Sequence, residues 1–415
     1  MENIYQIRKN TKMDWLTARC RKLIFKFLEQ LQDGRLDVHE ATGENRCFGH
    51  CAISKDGPIE PLAAKIEIRD MSCYRDFIFK GAIGAAEAYI DGKWSSPDLT
   101  RVIRVFARAQ KLADNIEAQK GFVAHFKDKL FHLFNTNSIK QAKNNIISHY
   151  DLGNELYKNF LDERMQYSSA IFENNEMNLE YAQCNKLDII CKKLELTPAD
   201  HLLEIGTGWG GLAVHAAKNY GCRVTTTTIS EAQYQYAKQR IEEEGLELQI
   251  TLLKQDYRNL SGQFDKLVSI EMIEAVGYRY LTSFFKKCNE CLIPGGKMLL
   301  QSITIADQRF DYYKNNVDFI QKHIFPGGFL PSITEIANRT QKDTNLIIHD
   351  IEDIGLHYAL TLTHWRQRFL FAWQRIKPLG YDERFKRLWT YYFCYCEGAF
   401  LERSTSTVQI EFRKS

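Results

Sequence analysis

The residues best suited to chemistry form a glycine-rich turn, Leu203-Glu-Ile-Gly-Thr-Gly-Trp-Gly-Gly211. The turn follows an apolar run typical of a strand and precedes a helical pattern, which is the setting that a glycine-rich nucleotide loop requires. Gly206 and Gly208 permit a tight turn and let the backbone approach a ligand, because neither carries a Cβ. A loop of purely structural glycines is the alternative, but the pattern favours a ligand-binding turn.

The details of this turn favour S-adenosylmethionine over a dinucleotide. Its spacing is G-x-G-x-G, and a sulfonium amino acid has no pyrophosphate to place at a helix N-terminus. The carboxylate of Glu204 suits a cationic head group. The next predicted strand ends at Thr228 without the acid that a dinucleotide site expects there. Thr228 and Gln233 are therefore candidate ribose ligands, and Gln255 and Asp256 follow the third strand, where an adenine edge would lie.

The composition excludes several classes of protein. A formal net charge of +3 on 415 residues argues against a dedicated nucleic-acid binder, whose domains are usually far more basic. The N-terminus lacks the basic-then-apolar order of a signal peptide, and no segment approaches the roughly 20 apolar residues that span a bilayer. We expect a cytoplasmic protein that meets lipid from the side, at the inner face of the membrane; a homodimer is left open.

The 11 cysteines are odd in number and irregularly spaced, which suits a reducing compartment better than a disulfide framework. Two clusters have metal-like spacing, Cys47-Phe-Gly-His-Cys51 and Cys288-Asn-Glu-Cys291. Structural zinc sites normally show paired ligand sets. The first cluster lacks a matching second half and the second lies inside an apparent helix, so we predict structural thiols and no metal.

Residues 1–118 are predicted to form a small α+β domain that could help to present an acyl chain. An amphipathic helical region is expected to end at Gly34, and helical patterns return around Gly84–Ile90 and Leu99–Ala113. Between them lie short alternating runs separated by turn signals. We interpret these runs as strands: Arg46–Ile53, Ala64–Arg69 and Asp76–Lys80.

Residues 119–147 carry one apolar stripe, in which Phe122, Phe126, Leu130 and Phe134 recur every four residues beside lysines. Such a stripe is typical of a helix that lies on an anionic membrane surface. A helix packed between two domains has the same pattern, so both interpretations stay open.

Residues 148–415 alternate strands with helices, which predicts an α/β fold with a doubly wound, Rossmann-like parallel sheet. Helical insertions are expected within 304–344 and 356–402. The predicted strands are His201–Gly206, Arg223–Thr228, Leu248–Leu253, Lys266–Ile270, Lys297–Ile303, Asn345–Ile351 and Val408–Arg413. The predicted helices are Gly210–Tyr220, Glu231–Glu244 and Tyr280–Leu292.

Short motifs in this second domain, taken in order, resemble those of the cyclopropane-fatty-acid synthase family, including its mycolic-acid relatives. The resemblance covers 145–415 and implies a class I S-adenosylmethionine-dependent methyltransferase. The matching motifs are His149-Tyr-Asp-Leu-Gly-Asn-Glu-Leu-Tyr157, Met165-Gln-Tyr-Ser-Ser169, Leu203 to Gly211, Thr228-Ile-Ser-Glu-Ala-Gln233, Gln255-Asp-Tyr-Arg258, Met272-Ile-Glu-Ala-Val-Gly277, Phe325-Pro-Gly-Gly-Phe-Leu-Pro331 and Trp365-Arg-Gln-Arg-Phe369.

The resemblance also implies which residues form the site. The residues that would contact the cofactor are Tyr167, Ser168, Gly206, Gly208, Thr228, Gln233 and Asp256. The family holds a bicarbonate ion beside the reacting carbon, and the positions that match its holders are Ser169, Glu274, Gln301 and Tyr358. Relatives often carry Cys in place of Ser169 and His in place of Gln301, and Gln cannot titrate near neutral pH as His does.

The resemblance further implies the reaction, which is transfer of a methylene group from S-adenosylmethionine to the cis double bond of an unsaturated phospholipid acyl chain. Aromatic faces would stabilise the resulting carbocation, and bicarbonate, oriented by Glu274 and Tyr358, would take a proton so that a cyclopropane ring closes. Ordinary core packing is the alternative for each aromatic ring. The candidate rings are Tyr167, Tyr313, Phe319, Phe325, Trp365, Phe369 and Trp373, of which the last three are expected to share a helix face.

Other functions stay open on the same scaffold. Some relatives make methyl or methylene branches in acyl chains, and similar plant enzymes methylate alkaloid nitrogens. Nitrogen methylation needs no bicarbonate base, so Glu274 and Tyr358 favour carbon chemistry. A catalytically silent lipid- or cofactor-binding protein would explain the changes at Ser169 and Gln301, and it would bind S-adenosylmethionine without turnover.

Overall fold

The computed structural model describes residues 10–50, 62–109 and 153–415 of the chain. The predicted membrane-surface helix of 119–147 and the predicted domain boundaries at 118 and 147 lie outside the described residues. The described residues form two compact units. The first unit takes 10–50, 62–109, 316–319 and 377–404, and the second takes 153–315, 320–376 and 405–415.

The strands are β1 Gly34–Glu40, β2 Asn45–His50, β3 Ala63–Ile68, β4 Trp94–Ser95, β5 His201–Ile205, β6 Arg223–Thr228, β7 Ile250–Lys254, β8 Phe264–Ile270, β9 Leu292–Ile305, β10 Leu346–Asp353 and β11 Thr405–Lys414. The α-helices are α1 Trp15–Leu28, α2 Cys73–Ile90, α3 Leu99–Arg108, α4 Asn154–Lys158, α5 Leu179–Lys193, α6 Gly211–Tyr220, α7 Glu231–Glu243, α8 Leu281–Cys291, α9 Phe310–Asn315, α10 Phe319–His323, α11 Ile333–Asp343, α12 Gly355–Phe371, α13 Trp373–Ile376 and α14 Glu383–Leu401. None of the helices in the described residues combines the length and the hydropathy of a bilayer-crossing segment.

The first unit has a four-stranded sheet in the order β2-β1-β3-β4. β1 pairs antiparallel with β2 and parallel with β3, and alternate residues of β1 are buried, as in a strand with one face on a core. Helix α14 joins this unit although it is distant in sequence. Arg104 and Arg108 of α3 bind the carboxylate of Glu402, directly after α14, at 2.6 and 2.8 Å.

Two predictions for the first unit were wrong. Helix α1 ends at Leu28, and Gly34 begins β1 instead of ending a helix. Pairing of β1 with two other strands outweighs the local helical pattern, because helix propensity is a weak preference. The run Asp76–Lys80 lies within helix α2. Its alternating Phe77 and Phe79 imitate a strand over too few residues to distinguish the two periods.

The second unit has a seven-stranded sheet in the order β10-β11-β9-β8-β5-β6-β7. Strands β5 to β9 run parallel, and β11 runs antiparallel to both of its neighbours. The predicted doubly wound sheet is confirmed, and β6 has the predicted bounds. The strand order reverses at β5, between β6 and β8. In open parallel sheets ligands bind outside the carboxyl end of the strands at such a switch point.

Two apolar clusters cover the two faces of this sheet. Leu202 of β5 packs in the cluster that contains Leu187 of α5 and Leu212 of α6, whereas Leu203 packs in the cluster that contains Phe284 of α8. Successive residues of a strand point to opposite faces, so β5 is buried on both sides. A strand held on both faces gives the turn that follows it a rigid base.

Candidate active site

The glycine turn lies at the carboxyl end of β5, and α6 begins directly after it at Gly211. Gly206, Gly208 and Gly210 have φ angles of 107°, 53° and 83°, which residues with side chains rarely adopt. A Cβ on Gly206 would stand 3.1 Å from the side chain of Met272, whereas a Cβ on Gly208 would meet no atom within 4 Å. The turn therefore opens on free space at Gly208, as a ligand-binding turn requires.

Glu204 lies in β5, two residues before Gly206, where it pairs with Thr226 of β6 and is buried. Its carboxylate accepts a hydrogen bond of 2.6 Å from the hydroxyl of Thr226, which also lies 2.6 Å from the hydroxyl of Thr207. Burial raises the pKa of Glu204 to about 8. The structure thus ties Glu204 to the neighbouring strand and to the turn; its contact with a cationic head group stays a prediction.

The two predicted ribose ligands lie together at the end of β6. The hydroxyl of Thr228 donates to the side-chain carbonyl of Gln233 at 2.9 Å, and both side chains are buried. Thr228 is the last residue of β6, and Gln233 lies in the first turn of α7, which Ser230 caps. The pair therefore stands beside the glycine turn, on the strand next to β5.

The two predicted adenine ligands follow β7. The backbone carbonyl of Gln255 accepts a hydrogen bond of 2.6 Å from the hydroxyl of Thr227. The carboxylate of Asp256 accepts from the guanidinium of Arg258 at 2.8 and 2.9 Å, and from its backbone N–H at 3.0 Å. A carboxylate has about four lone-pair sites. Arg258 therefore fixes the orientation of Asp256 and leaves it capacity for a further donor.

Tyr167 lies in a group of rings that we call the aromatic wall, formed by Tyr157, Tyr167, Phe325 and Trp365. The Tyr167 ring centroid is 5.2 Å from that of Trp365, 5.3 Å from that of Tyr157 and 6.3 Å from that of Phe325. Tyr157 lies 5.1 Å from Trp209 of the glycine turn. The turn and the aromatic wall are thus in continuous contact.

Not every predicted ring joins the aromatic wall. Trp365 and Phe369 share a face of α12. Trp373 begins the separate helix α13, but its ring centroid still lies 5.7 Å from that of Phe369. Phe319 belongs to the first unit, where its ring centroid lies 4.8 Å from that of Tyr391. Phe319 is therefore excluded as a ring that stabilises the carbocation, and the rings near Tyr167 remain the candidates.

Lys186 is a site residue that the sequence analysis missed. Its side chain is fully buried, and its ammonium donates to Ser168 Oγ and to Gln166 Oε1, both at 2.9 Å. Burial lowers the pKa of Lys186 to about 8, and the nearby Glu271, Asp162 and Glu204 oppose that shift. A lysine within a helical pattern predicts a solvated face, so the sequence carried no signal for this position.

Glu271, directly after β8, brings the predicted catalytic residues together. Its Oε1 accepts hydrogen bonds from the backbone N–H of Ser169 at 2.9 Å and from the amide of Gln301 at 2.8 Å. Its Oε2 accepts from the hydroxyl of Tyr358 at 2.8 Å. Three of the four predicted residues thus meet, but they meet at a carboxylate that was not predicted. We call Glu271 and these three donors the Glu271 cluster.

Glu274, the fourth predicted residue, is partly buried beside this cluster. Its Oε1 accepts from the backbone N–H of Ile303 at 2.6 Å and from the hydroxyl of Ser302 at 3.1 Å. Its Oε2 is buried and has no hydrogen-bond partner among the described residues. Burial and then repulsion from Glu271 raise the pKa of Glu274 to about 8, so this acid is largely protonated near neutral pH.

A bicarbonate ion does not fit this arrangement, which corrects the expectation from the resemblance. The donors assigned to the ion, on Ser169, Gln301 and Tyr358, are all directed at the carboxylate of Glu271. Glu274 instead binds Ser302 and the main chain. A signal for Glu271 was present, because Ser269-Ile-Glu-Met-Ile-Glu274 holds two acids at the end of a predicted strand next to the switch point.

The described cysteines of the two clusters lie in a helix and in a strand. Cys288 and Cys291 are buried thiols in α8, and Cys47 is an exposed thiol in β2. Cys51 lies outside the described residues. Within the described ranges, no group of three or more His, Cys, Asp or Glu side chains could hold a metal ion.

Several known proteins are similar to this chain. A family model described as mycolic acid cyclopropane synthetase matches residues 137–410. The chain is 40% identical over 356 residues to a cyclopropane-fatty-acyl-phospholipid synthase of Escherichia coli K12, covering 85% of this chain and 88% of that protein. It is 38% identical over 331 residues to the tuberculostearic acid methyltransferase UfaA1 of Mycobacterium tuberculosis, covering 77% of this chain and 76% of that protein.

A solved structure extends the similarity to three dimensions. The mycolic acid cyclopropane synthase CmaA1, solved with SAH and CTAB, superposes with a TM-score of 0.61 at 27% identity, covering 66% of this chain and 98% of that chain. The residues that match the family model, 137–410, include the glycine turn and the Glu271 cluster. On the family match and the identity over most of its length, this chain belongs to the mycolic acid cyclopropane synthetase family.

Proposed function

We propose that this chain transfers a methylene group from S-adenosylmethionine to the cis double bond of an unsaturated phospholipid acyl chain, which becomes a cyclopropane ring. One observation carries the proposal, the meeting of the glycine turn, the aromatic wall and the Glu271 cluster. Trp209 joins the turn to the wall, and Met272, directly after Glu271, packs against Gly206. The E. coli relative, whose name states this kind of product, supports the same reaction.

The aromatic wall suits the most difficult step of this reaction, in which the alkene attacks the methyl group and becomes a carbocation. Bound S-adenosylmethionine supplies an electrophilic methyl group on a sulfonium sulfur. An alkene is a weak nucleophile, so the chain must position the double bond and exclude water. Trp365 is fully buried and Tyr358 packs edge-on against it at 5.9 Å. A well-placed ring face stabilises a cation by about 0.5–2 kcal/mol, and a dry wall protects that cation from capture by water.

We assign cofactor binding to residues at one edge of the second sheet. In open parallel sheets, ligands lie along the carboxyl ends of the strands. Most of these residues lie near the ends of β5 and β6 or after β5, β6 and β7. Tyr167 and Ser168 come from a separate segment, in which Tyr167 contacts Tyr157 and Tyr157 contacts the turn. The residues assigned are Tyr167, Ser168, Glu204, Gly206, Gly208, Thr228, Gln233, Gln255 and Asp256.

We also propose that the protein docks peripherally on the cytoplasmic face of an anionic membrane. Among the described residues, α1 offers a suitable surface, because Trp15 is 73% exposed and Leu23 is 41% exposed. The exposed Arg19, Lys22 and Lys26 follow at helical spacing on the same side. Apolar rings beside basic side chains are typical of a helix that lies in the headgroup region.

A second candidate function is methyl or methylene branching of an acyl chain. The observation that favours it is the 38% identity to a tuberculostearic acid methyltransferase, which is close to the 40% identity to the E. coli synthase. Both reactions begin with attack of an alkene on the sulfonium methyl. They differ in whether the transferred carbon closes a ring.

Expression in cells that make unsaturated phospholipids but lack this activity tests the proposal. Mass analysis of their fatty acids should show a gain of CH₂ together with loss of alkene reactivity. The same gain of CH₂ with an alkene retained as a methylene branch, or a gain of CH₄ where a cellular hydride donor has reduced that branch to a saturated methyl group, would redirect the assignment to the second candidate. No change in the fatty acids of cells that contain the folded protein would contradict both.

A further inference from the structure

The carboxylate of Glu271 is held at a fixed place in the centre of the site. Its donors come from three separate elements, because Ser169 precedes α5, Gln301 lies in β9 and Tyr358 lies in α12. The amide of Gln301 is itself oriented, since its carbonyl accepts from Gln409 of β11 at 3.0 Å. This contact leaves the amide nitrogen of Gln301 to donate to Glu271 at 2.8 Å and to the backbone carbonyl of Ser169 at 3.4 Å.

The backbone of Glu271 is strained in the conformation that delivers this side chain. Its φ angle is 48°, in the left-handed region that favours glycine. Its backbone N–H donates to the carbonyl of Gln301 at 2.8 Å, which holds the strained residue against β9. Strain of this kind persists where the surroundings impose it, and it is concentrated at active sites.

The surroundings of Glu271 also suit a proton acceptor. Burial raises the pKa of Glu271, although the hydrogen bonds from Ser169, Gln301 and Tyr358 oppose the shift. A carboxylate with a raised pKa is a stronger base than one in water. Its donors use three of the roughly four lone-pair sites that a carboxylate offers, so one site on Oε2 remains beside Tyr358.

We propose that Glu271 is the built-in base of this enzyme, which takes the proton during ring closure and makes an external bicarbonate ion unnecessary. The inference rests on the proposed function, because it concerns the same reaction. The donors that the resemblance assigns to an ion surround a carboxylate of the chain itself. Tyr358 links that carboxylate to the aromatic wall through Trp365.

The electrons and atoms balance in this step. The alkene pair forms a bond to the methyl carbon, the sulfur–carbon bond breaks, and its electrons stay on sulfur, which becomes a neutral thioether. One C–H bond of the transferred methyl group then breaks. Its electron pair closes the ring onto the cationic chain carbon, and the proton passes to Glu271 Oε2. The carboxylic acid so formed loses its proton to solvent after product release.

The first test measures the intact enzyme with unsaturated phospholipid vesicles and S-adenosylmethionine in buffer stripped of carbon dioxide. We expect the rate of ring formation to be unchanged when millimolar bicarbonate is added. A rate that collapses in stripped buffer and returns with bicarbonate would overturn the proposal. Absence of ring product under both conditions would instead be a failure of the proposed function.

Two variants complete the test. Glu271→Gln keeps the volume but is not basic, and we expect its rate to fall by about 100-fold or more, the usual contribution of a general base. Glu271→Gly suits the φ of 48° and leaves room among the donors for an ion. We therefore expect bicarbonate to restore activity to Glu271→Gly and not to Glu271→Gln.

Calorimetric binding of S-adenosylmethionine shows whether both variants are folded. The matched control is Glu352→Gln, which changes an exposed carboxylate in the same unit. Near-normal activity of Glu271→Gln in stripped buffer would overturn the proposal. Equal rescue of both variants would do so as well, because the ion would then act at another place.

Discussion

At the residue scale, the interior of the second unit holds several ionisable side chains. Glu204 is a buried carboxylate, Glu271 and Glu274 are partly buried carboxylates, and Lys186 is a buried cation whose field acts on Glu204 and Glu271. A buried charge is costly unless hydrogen bonds or an opposite charge compensate it. The compensation here is uneven, because Glu271 receives its three donors whereas Glu274 Oε2 receives none among the described residues. The two acids can therefore take different roles.

Glu274→Gln tests the role of the second acid. The amide keeps the volume and can keep the bond from the N–H of Ile303, but it cannot exchange a proton. We expect turnover to fall by about 100-fold or more, while the affinity for S-adenosylmethionine stays nearly unchanged. Steady-state kinetics and calorimetry measure the two quantities. Survival of turnover would show that Glu274 has only a structural role.

Gly208→Ala tests the ligand-binding role of the glycine turn, and Gly245→Ala is its matched control. Both glycines have positive φ, 53° and 66°, and a Cβ on either would meet no atom within 4 Å. Each change should therefore destabilise the fold by a similar amount, about 1–2 kcal/mol. Only Gly208→Ala should weaken S-adenosylmethionine binding in calorimetry. Equal affinities in the two variants would contradict the assignment.

The sequence predicted the site residues that belong to a recognisable motif. It did not predict the residues whose contacts depend on how the chain folds. Ser169, Gln301 and Tyr358 were predicted to act together, and the structure brings them together. Glu271 was missed because its hydrogen bonds come from residues 30 to 102 positions away. Lys186 was missed because burial of one lysine in a helix depends on what packs over it.

At the element scale, α1 separates a buried face from an exposed one. Cys20, Ile24 and Leu28 point into the first unit, while Trp15 and Leu23 face outwards. Arg19 lies over the ring of Trp15 at 5.5 Å, which places a cation beside the exposed aromatic ring. The helix thus presents apolar and basic groups on the surface that we assign to the membrane.

Replacing Trp15 and Leu23 by Ala tests this surface. Burying one large apolar side chain contributes about 1.5–3 kcal/mol, so binding to vesicles of anionic phospholipid should weaken by at least about tenfold. Cosedimentation with vesicles measures the loss. Leu248→Ala removes a fully exposed leucine of the second unit and is the matched control. An unchanged affinity in the double variant would exclude α1 as the docking surface.

The strands and helices that alternate in the second unit were predictable from the periodicity of their apolar residues. Strand β6 has the predicted bounds, and α6 and α7 differ from their predictions by one residue at an end. The first unit was harder. Its short strands pair with partners that the local sequence does not reveal. Gly34, the first residue of β1, was therefore taken as the end of a helix, the rest of β1 was not predicted, and part of α2 was taken as a strand.

At the scale of the whole molecule, the buried acids couple stability to pH. The pKa of Glu274 is raised from 4.5 to about 8 in the folded chain. Between these values the folded state holds a proton that the unfolded state has lost, so the free energy of unfolding falls as pH rises. Each such group contributes at most about 1.4 kcal/mol per pH unit.

Comparison with Glu274→Gln isolates this contribution from other titrating groups. The difference in the free energy of unfolding, wild type minus Glu274→Gln, should fall as pH rises from about 5 to about 8. Denaturant unfolding of the ligand-free proteins at several pH values measures it. A difference that stays constant or rises over this range would show that Glu274 is ionised in the folded chain.

The overall fold class followed from the sequence, but the grouping of distant segments did not. The alternation of strands and helices predicted the parallel sheet, and the glycine turn predicted its ligand edge. Residues 377–404, which the sequence grouped with the second domain, pack in the first unit. The ion pairs of Arg104 and Arg108 with Glu402 join residues about 300 positions apart, and no local pattern reports such contacts.

The fate of the transferred carbon tests the central claim most directly. The purified enzyme is incubated with unsaturated phospholipid vesicles and S-adenosylmethionine whose methyl group is CD₃. The mass of the product is then measured by mass spectrometry. Ring formation removes one deuteron from the transferred group, so the acyl chain should gain CD₂ and lose its alkene. A product that keeps CD₃ would show methyl transfer without ring closure and would contradict the account.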